Sequence, residues 1–336
     1  MPNIVQTALR NATRTEGSPL NILSFPTHER YQTNLSKTGH NFYLWQAEGI
    51  KPWVDSYGKI PDNTVLLNPS KGVNQIPENI DIDLILSQNK FGQFSIAKQI
   101  SEQMGVPVVS LEHTLPMEQW SKNELQHLYH MQGDINIFIS DYSRDRWGWR
   151  EDEAIVVHHG VDTDLFSIDE SVEREDRVFS VVNDWVNRDW CCGYKLWEEI
   201  TGYPKSELPL HVVGDTPGLS ESATSIGVLV NEYRKSRIFL NTSLISPIPT
   251  SLLEAMSCGC AVVTTATCMI PEIIENGING YMSNDPNKLR SFVDKLRLNK
   301  ELAKEIGKNA RQTILDNFSI DKFVGNWKNL FNQCVR

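Results

Sequence analysis

The sequence predicts an α/β protein that contains two Rossmann-like domains in tandem, followed by a helical tail. Short apolar runs alternate with longer segments of helical periodicity, which is the βαβ pattern of parallel sheets. A chain of 336 residues is too long for one ordinary core. It fits two domains of roughly 150 residues each, and it contains no repeat of solenoid length.

The first half contains a series of strand-length apolar runs. A helix is predicted over 30–37, directly after the first strand, and another over 92–104, where Gly105 ends the helical pattern. The segment AIVVHHGVDTDLF, residues 154–166, is interpreted as a strand, a tight turn at Gly160 and the exit from the domain. The other predicted strands are 20–25, 41–45, 64–67, 84–88, 106–112 and 135–140.

The second half begins after a stretch rich in Asp and Glu, residues 168–177, which is interpreted as a linker. We assign residues 1–166 to an N-terminal domain, 167–318 to a C-terminal domain and 319–336 to a final helix. Strands are predicted at 178–182, 210–213, 238–241 and 261–264, and helices at 193–201, 229–235, 251–257 and 271–275. The tail from residue 286 is helical by pattern, with one break at 317–319.

Composition excludes several classes of protein. The formal net charge of −10 argues against a non-specific nucleic-acid binder, which would carry a basic face. The apolar runs are far too short to cross a bilayer, and the first residues, Met-Pro-Asn-Ile-Val, lack the features of a signal peptide. The six cysteines match neither a secreted framework nor a zinc spacing. We therefore expect a cytoplasmic protein with reduced thiols and no metal site.

The most informative stretch is SPIPTSLLEAMSCGCAVVTTATCMIPEIIENGINGY, residues 246–281. Its two prolines keep the chain non-helical, and Thr250 or Ser251 is a natural N-cap for the helix that follows. The free amides of about Ser251, Leu252 and Leu253, together with the helix dipole, would form an anion site suited to a diphosphate. Ligands of parallel α/β folds bind at this kind of position, beyond the carboxyl ends of the strands.

One turn further into the same helix lies a carboxylate, Glu254. It can accept hydrogen bonds from both hydroxyls of a ribose, as acidic residues do in other dinucleotide folds. Gly259 then ends the helix. Taken singly, a capping hydroxyl and a glutamate near a helix start are more often purely structural, so the prediction depends on their combination.

In combination, residues 246–281 resemble the donor-site signature of glycosyltransferase family 4 (group 1), a retaining group with the GT-B fold. The resemblance rests on the proline-flanked loop and the motifs EAMSCG, AVVTT, PEII and NGINGY in that order. It implies two facing Rossmann-like domains and a nucleoside diphosphate sugar as donor. It also implies hexosyltransferase-like transfer that retains anomeric configuration and needs no metal or further cofactor. The acceptor, whether glycan, lipid or protein, stays open.

Other segments agree with this resemblance. VVHHGVDTDLF is similar to the turn by which such enzymes leave their first domain, and NEYRKSRIFLNTSL to the helix and strand before the donor loop. HVVGDTPG resembles the loop near the nucleotide base and places Gly214 there. FSIDKFVGNW is like the segment that returns to brace the first domain. The resemblance is strong over residues 154–336 and weak over 1–150, the half expected to bind the acceptor.

The chain departs from the family pattern at two places. The family has two glutamates separated by seven residues; the second corresponds to Glu254, and the first, which contacts the donor sugar, is replaced by Ser246. The second departure is NDWVNRDWCCGYKLW, residues 183–197, where the family has Gly-Arg and then Lys facing the phosphates. Arg188 is the candidate for the main diphosphate cation and Lys195 for a second; an ordinary loop or solvated helix position is the alternative for each.

The resemblance also implies roles in the first half. His113 ends the strand VVSLEH, and related enzymes place a histidine there near the reacting carbon. Thr27, His28 and Arg30, in SFPTHERYQTNL, are expected on the acceptor side. The predicted function is therefore retaining glycosyl transfer with His113 and Arg188 as catalytic residues. Two alternatives remain: a GT-B nucleotide-sugar epimerase or hydrolase, and a catalytically silent sugar-nucleotide-binding protein, which Ser246 would favour.

Overall fold

The chain divides into two compact units in the computed structural model. The model describes residues 12–334 apart from 16, 49, 51 and 56, so the N-terminal pentapeptide considered above lies outside it. The first unit runs to His158 and resumes at Asp321, whereas the second is His159–Ile320. The boundary between the two units lies before residue 166, the end of the predicted N-terminal domain. The reason is that the Val161 amide donates to the Phe318 carbonyl oxygen (2.8 Å), which joins residues 159–166 to the second unit.

The first unit contains a parallel sheet with the strand order β3-β2-β1-β4-β5-β6-β7. Apart from the added β7, this is the doubly wound order of dinucleotide-binding folds. The inner strands β1, β4 and β5 are buried on both faces, which explains why they occur in the sequence as continuous apolar runs. The strands are β1 (Asn21–Phe25), β2 (Asn41–Leu44), β3 (Thr64–Leu66), β4 (Leu84–Ser87), β5 (Val108–Glu112), β6 (Ile135–Phe138) and β7 (Ile155–Val156).

Helices and a short 3-10 segment, Pro69–Gln75, connect these strands. Gly105 ends the second helix as predicted, because its left-handed backbone (φ 66°) lets its amide donate to the Ser101 carbonyl oxygen at 2.8 Å.

The tight turn predicted at Gly160 is wrong, since Val161 bridges to Ser319 in a parallel arrangement and the chain turns only at 163–165. The helices are α1 (Glu29–Ser36), α2 (Phe94–Met104), α3 (Lys122–Tyr129) and α4 (Asp141–Arg146).

The second unit contains a parallel sheet with the order β12-β11-β10-β8-β9, which corresponds to the flavodoxin-like arrangement. Its first strand begins inside the predicted linker. The charged stretch packs against the unit, because the Arg174 guanidinium donates to the carbonyl oxygens of Ser236 and Cys258. The strands are β8 (Glu175–Val181), β9 (Leu210–Val213), β10 (Ser236–Asn241), β11 (Ala261–Thr264) and β12 (Tyr281–Met282).

The helical tail has one more break than the sequence indicated. Asn299 interrupts it, because its side chain accepts a hydrogen bond from the Leu302 amide (3.0 Å) and so caps the following helix. The helices of the second unit are α5 (Asp189–Cys192), α6 (Tyr194–Thr201), α7 (Ile226–Lys235), α8 (Thr250–Ser257), α9 (Ile270–Ile273), α10 (Pro286–Leu298) and α11 (Lys300–Asn317).

The final helix, α12 (Ile320–Cys334), packs on the first unit, as the fold prediction required. The Phe323 ring lies edge-on to Tyr31 with ring centroids 5.3 Å apart, and Phe331 lies edge-on to His40 at 5.5 Å. Trp327 between them is fully buried. In the described part of the chain, we find no helix with the length and apolar character that crossing a bilayer requires.

His40, beneath this helix, makes the first unit sensitive to acid. Its Nδ1 atom accepts a hydrogen bond from the Leu20 amide at 3.1 Å, so the ring must be neutral there. Burial lowers the pKa of His40 to about 4, and the positive charges of Lys328 and Arg14 add to this effect. Between pH 6.5 and 4 the unfolded chain therefore binds more protons than the folded one, and stability is lost as pH falls through this range.

We expect this loss to be roughly 2 kcal/mol after allowing for solvent screening. His40→Asn should be the matched control, because an amide oxygen can accept the Leu20 hydrogen bond without titrating. Urea unfolding at pH 7 and at pH 4.5 measures the difference. Equal pH dependence in the two proteins would show that His40 does not carry the effect.

Candidate functional site

A crevice is expected where the strand order of the second sheet reverses. From β8 the chain proceeds to β9 on one side, whereas from β10 it proceeds to β11 and β12 on the other. The crevice lies beyond the carboxyl ends of β8 and β10, the usual ligand position in open parallel sheets. The loop after β8 carries Arg188, and the chain after β10 leads into residues 246–250, which we call the donor loop.

The donor loop ends at the first turn of α8, but the capping differs from the prediction. The N-cap is Pro249, and no side chain caps the helix, so Thr250 and Ser251 are its first helical residues. The amides of Leu252 and Leu253 are not free, since both donate to the Pro249 carbonyl oxygen, at 3.1 and 3.4 Å. Within the described residues, the amides of Thr250 and Ser251 donate to no acceptor. They are therefore the two donors available to an anion.

Glu254 lies one turn deeper and is 5% exposed. The Tyr233 hydroxyl donates to its Oε2 atom at 3.0 Å. Tyr233 is fully buried between the rings of Phe179 and Phe239, so it holds the carboxylate in one orientation. A carboxylate has about four acceptor positions, and a held one can still accept hydroxyl groups of a ligand. Sequence reasoning missed Tyr233, because an aromatic residue in an amphipathic helix indicates only a core position.

The loop after β8 presents its cation to solvent. Arg188 is exposed, and one of its guanidinium nitrogens donates to the Asn183 carbonyl oxygen at 3.3 Å. Lys195 is 83% exposed and pairs with Asp189 at 3.7 Å, a geometry of little energetic weight. Two nearby tryptophans differ: Trp185, in this loop, is fully buried and donates to the Cys192 carbonyl oxygen, whereas Trp190, in α5, is 52% exposed. Ring stacking with a ligand is therefore open only to Trp190.

Ser246, the replacement for the family's first glutamate, opens the donor loop. It is half-buried, and within the described residues its hydroxyl makes no hydrogen bond. The residues before it, Leu244 and Ile245, are exposed apolar side chains (36% and 44%). At the start of the donor loop, a ligand would therefore meet one uncharged hydroxyl group next to an apolar surface.

Gly214 follows β9 and lets two backbones approach closely. Its φ is 142°, and a side-chain carbon at this position would overlap the Val182 carbonyl oxygen. Gly214→Ala should therefore lower the free energy of unfolding by about 2 kcal/mol, through both backbone strain and overlap. Gly218→Ala is the matched control, since Gly218 also has a positive φ (79°) but open space around it.

Thermal unfolding of the two alanine variants tests this assignment. In the Gly218 variant, the free energy of unfolding should fall by only about 1 kcal/mol, the cost of the backbone conformation alone. If both variants lost the same stability, the close approach at Val182 would not be the reason for a glycine at position 214.

In the first unit, the strand order reverses between β1 and β4, and the predicted acceptor-side residues follow β1. Thr27 is exposed, and its amide donates to the Gln88 side-chain oxygen at 3.4 Å. His28 caps α1, since its Nδ1 accepts from the Arg30 amide at 3.2 Å, and Arg30 is half-buried. Beneath them the buried amide of Gln88 donates to the side-chain oxygens of Gln32 and Ser24 (2.8 and 3.1 Å), a network that the sequence did not indicate.

His113 directly follows β5 at the same edge of this sheet. It is half-buried, and its ring lies edge-on to Tyr31 with centroids 4.5 Å apart. The preceding Glu112 is buried, and it accepts from the amides of Thr114 (2.8 Å) and Lys90 (3.1 Å). Burial raises the pKa of Glu112, which these hydrogen bonds oppose, and burial lowers the pKa of Lys90 to about 8. Together they hold the turn that presents His113.

Comparison with known proteins shows which proteins this chain resembles. Residues 224–313 match the family model described as glycosyl transferases group 1. An uncharacterized glycosyltransferase of Methanocaldococcus jannaschii, MJ1178, is 24% identical over 89% of this chain and 86% of its own length. Another from that organism, MJ1069, is 34% identical over 26% of this chain, and an N-acetyl-alpha-D-glucosaminyl L-malate synthase of Bacillus anthracis is 30% identical over 25%. The chain spans 23% of the length of each of these last two.

Solved structures share the fold. Alr3699/HepE of Anabaena, crystallised in complex with UDP, superposes with a TM-score of 0.73 at 16% identity, covering 94% of this chain and all of that one. Sucrose-phosphate synthase of Thermosynechococcus elongatus gives 0.70 at 14% identity, covering 94% and 98%. Residues 224–313 are similar to the group 1 glycosyltransferases. Its α/β fold of two parallel sheets is that of GT-B glycosyltransferases, as predicted.

The region that matches the group 1 glycosyltransferases contains only part of the candidate site. Ser246, Thr250, Ser251, Leu252 and Glu254 lie inside residues 224–313, as does the newly found Tyr233. The remaining candidates lie outside the matched region and rest on their place in the fold: Thr27, His28, Arg30, His113, Arg188, Lys195 and Gly214.

Proposed function

We propose that this protein is a retaining, metal-independent glycosyltransferase that moves a sugar from a nucleoside diphosphate sugar to an acceptor. One observation carries the proposal: the two free amides that open α8 lie one helical turn before the buried Glu254, within the matched region. In a nucleoside diphosphate, free N–H groups can bind the diphosphate and a carboxylate one turn away can accept the ribose hydroxyls. That HepE was crystallised with UDP and with UDP-glucose supports a donor of this class.

The donor would be held as follows. The amides of Thr250 and Ser251, with the positive end of the α8 dipole, bind one phosphate group. The Arg188 guanidinium binds the diphosphate from the other side of the crevice. Glu254 accepts the ribose hydroxyls while Tyr233 fixes its orientation. The nucleoside diphosphate sugar is a co-substrate, and the proposal requires no further cofactor.

The chemical step breaks the bond between the anomeric carbon and the diphosphate. Negative charge then develops on the leaving group, where fixed N–H donors stabilise it without reorganisation. Because these amides and Arg188 supply that stabilisation, the reaction needs no metal ion. His113 would orient the sugar, and Thr27, His28 and Arg30 would contact the acceptor from the first unit.

The decisive experiment is a donor panel. UDP-, GDP- and ADP-sugars are tested by thermal shift, because a ligand that binds only the folded state raises its stability. The stabilising donor is then incubated with candidate glycan, lipid and protein acceptors, and the anomeric configuration of the product is read by NMR. We expect one nucleotide class to stabilise the protein and the product to retain the donor's configuration.

Ser246 supports a second candidate, a protein that binds sugar nucleotides without turning them over, because the charged contact to the donor sugar is missing. Stabilisation by a donor with neither transfer nor hydrolysis would favour this candidate. Release of free nucleoside diphosphate without a glycosylated product would favour the hydrolase or epimerase. Absence of any nucleotide effect would refute the donor site itself.

A further inference from the structure

Two adjacent cysteines, Cys191 and Cys192, end the short helix α5. Their sulfur atoms are 3.6 Å apart, and the Cys191 sulfur lies 3.5 Å from the Arg188 carbonyl oxygen. The residues are 5% and 8% exposed, so only a small reagent can reach them. Neither thiol has a part in the donor site described above.

The backbone of this pair supports the chain that leads into the donor loop. The amides of Leu244 and Ile245 both donate to the Cys191 carbonyl oxygen, at 2.8 and 3.1 Å. The Thr242 hydroxyl donates to the Cys192 carbonyl oxygen at 3.1 Å. A rotation of the Cys191–Cys192 peptide would therefore remove the acceptor shared by two amides directly before the donor loop.

The Cys191 thiol differs in acidity from Cys192, whose pKa is raised by the contact with Cys191 and by burial. Contact with the Cys192 sulfur lowers the pKa of Cys191, an effect that burial opposes and the Arg188 charge aids. A lowered pKa favours the thiolate, which is the reactive form of cysteine. Burial instead raises the pKa of Cys258 and Cys260, and that of Cys334 to about 12.

We propose that Cys191 and Cys192 form a peroxide-sensitive dithiol, and that its reversible conversion to a vicinal disulfide releases the donor loop. The Cys191 sulfur attacks one oxygen of hydrogen peroxide, which breaks the O–O bond, gives a sulfenic acid and releases one water. The Cys192 sulfur then displaces the hydroxyl as a second water and forms the S–S bond. Two thiols and one peroxide give one disulfide and two waters.

The spacing of the two cysteines would make this disulfide easy to reduce, so that it could form and break reversibly. The sulfur atoms must approach from 3.6 Å to about 2.05 Å, and the new ring contains the peptide whose carbonyl holds Leu244 and Ile245. Adjacent Cα atoms are about 3.8 Å apart, below the usual disulfide range of about 4.4–6.8 Å. The ring is therefore strained, and strained disulfides are easily reduced. The consequence for donor binding rests on the proposed function, but the movement does not.

The first test follows the thiols in the folded full-length protein. After treatment with hydrogen peroxide and alkylation, trypsin cleavage after Arg188 and Lys195 releases DWCCGYK, which contains both cysteines and no other. We expect this peptide to lack two hydrogens and to escape alkylation, and dithiothreitol to restore both thiols. Cys192→Ser should stop at a sulfenic acid on Cys191, whereas Cys334→Ser should behave like the wild type.

The second test follows the loop by hydrogen exchange without any donor. Oxidation should speed exchange of the Leu244 and Ile245 amides about tenfold, the effect of losing one ordinary hydrogen bond, and dithiothreitol should reverse it. Persistent alkylation of both cysteines, oxidation of Cys191 without a ring, or a disulfide that leaves exchange unchanged would each overturn the proposal. If both tests give the expected results but no nucleotide sugar stabilises the protein, the redox switch is supported and the proposed function is refuted.

Discussion

Replacing Glu254 with glutamine should weaken binding of the stabilising nucleotide sugar about a hundredfold while leaving the fold intact. A carboxylate that accepts both ribose hydroxyls makes two charge-assisted hydrogen bonds, and these together are worth roughly 3 kcal/mol. Glutamine keeps the volume of this buried side chain and can still accept from the Tyr233 hydroxyl. Isothermal titration calorimetry with the donor identified by the panel measures the change.

Tyr233→Phe separates the two possible roles of Glu254. It removes the hydroxyl that donates to the carboxylate and leaves the charge in place. If Glu254 binds the ribose, the Phe variant should lose affinity by only about threefold to tenfold, because the carboxylate is less well held. Unchanged affinity in Glu254→Gln, with both variants losing thermal stability alike, would make Glu254 a structural residue.

Arg188→Gln should reduce kcat by about 100- to 1,000-fold with a smaller effect on donor affinity. This is the usual cost of removing one donor that stabilises charge developing in a transition state. Arg188 can reach the leaving group because it is exposed at the crevice and its hydrogen bond to the Asn183 carbonyl oxygen is long, 3.3 Å. Steady-state kinetics with the identified donor and acceptor give kcat and KM separately.

Lys195→Gln provides the matched control for Arg188→Gln. Lys195 is a second exposed cation, in the nearby helix α6, and pairs weakly with Asp189, so its loss should change kcat by less than about fivefold. An equal fall of kcat and affinity in Arg188→Gln would mean that the guanidinium binds substrate and transition state alike. Equal effects of the two substitutions would mean that only the overall charge of the loop matters.

Much of the architecture could be predicted because each element depends on local pattern. Buried parallel strands require continuous apolar runs, so β1 and β11 were predicted within one residue of their observed ends. Gly105 and Gly259 end their helices with a left-handed backbone, which glycine adopts without strain. The similarity of the second unit to the group 1 glycosyltransferases was also predictable, since the motifs that carry it lie within one continuous stretch.

By itself, the sequence determined the βαβ alternation, the proline-flanked loop before α8 and the presence of Glu254 one turn inside that helix. Only the tertiary structure decided that Pro249 rather than a hydroxyl precedes the helix, which leaves just the Thr250 and Ser251 amides free. It also decided that Tyr233 holds Glu254 and that Trp185 belongs to the core while Trp190 does not. The physical reason is range: periodicity and capping act between neighbours in the chain, whereas these pairings join residues that are distant in sequence or depend on burial.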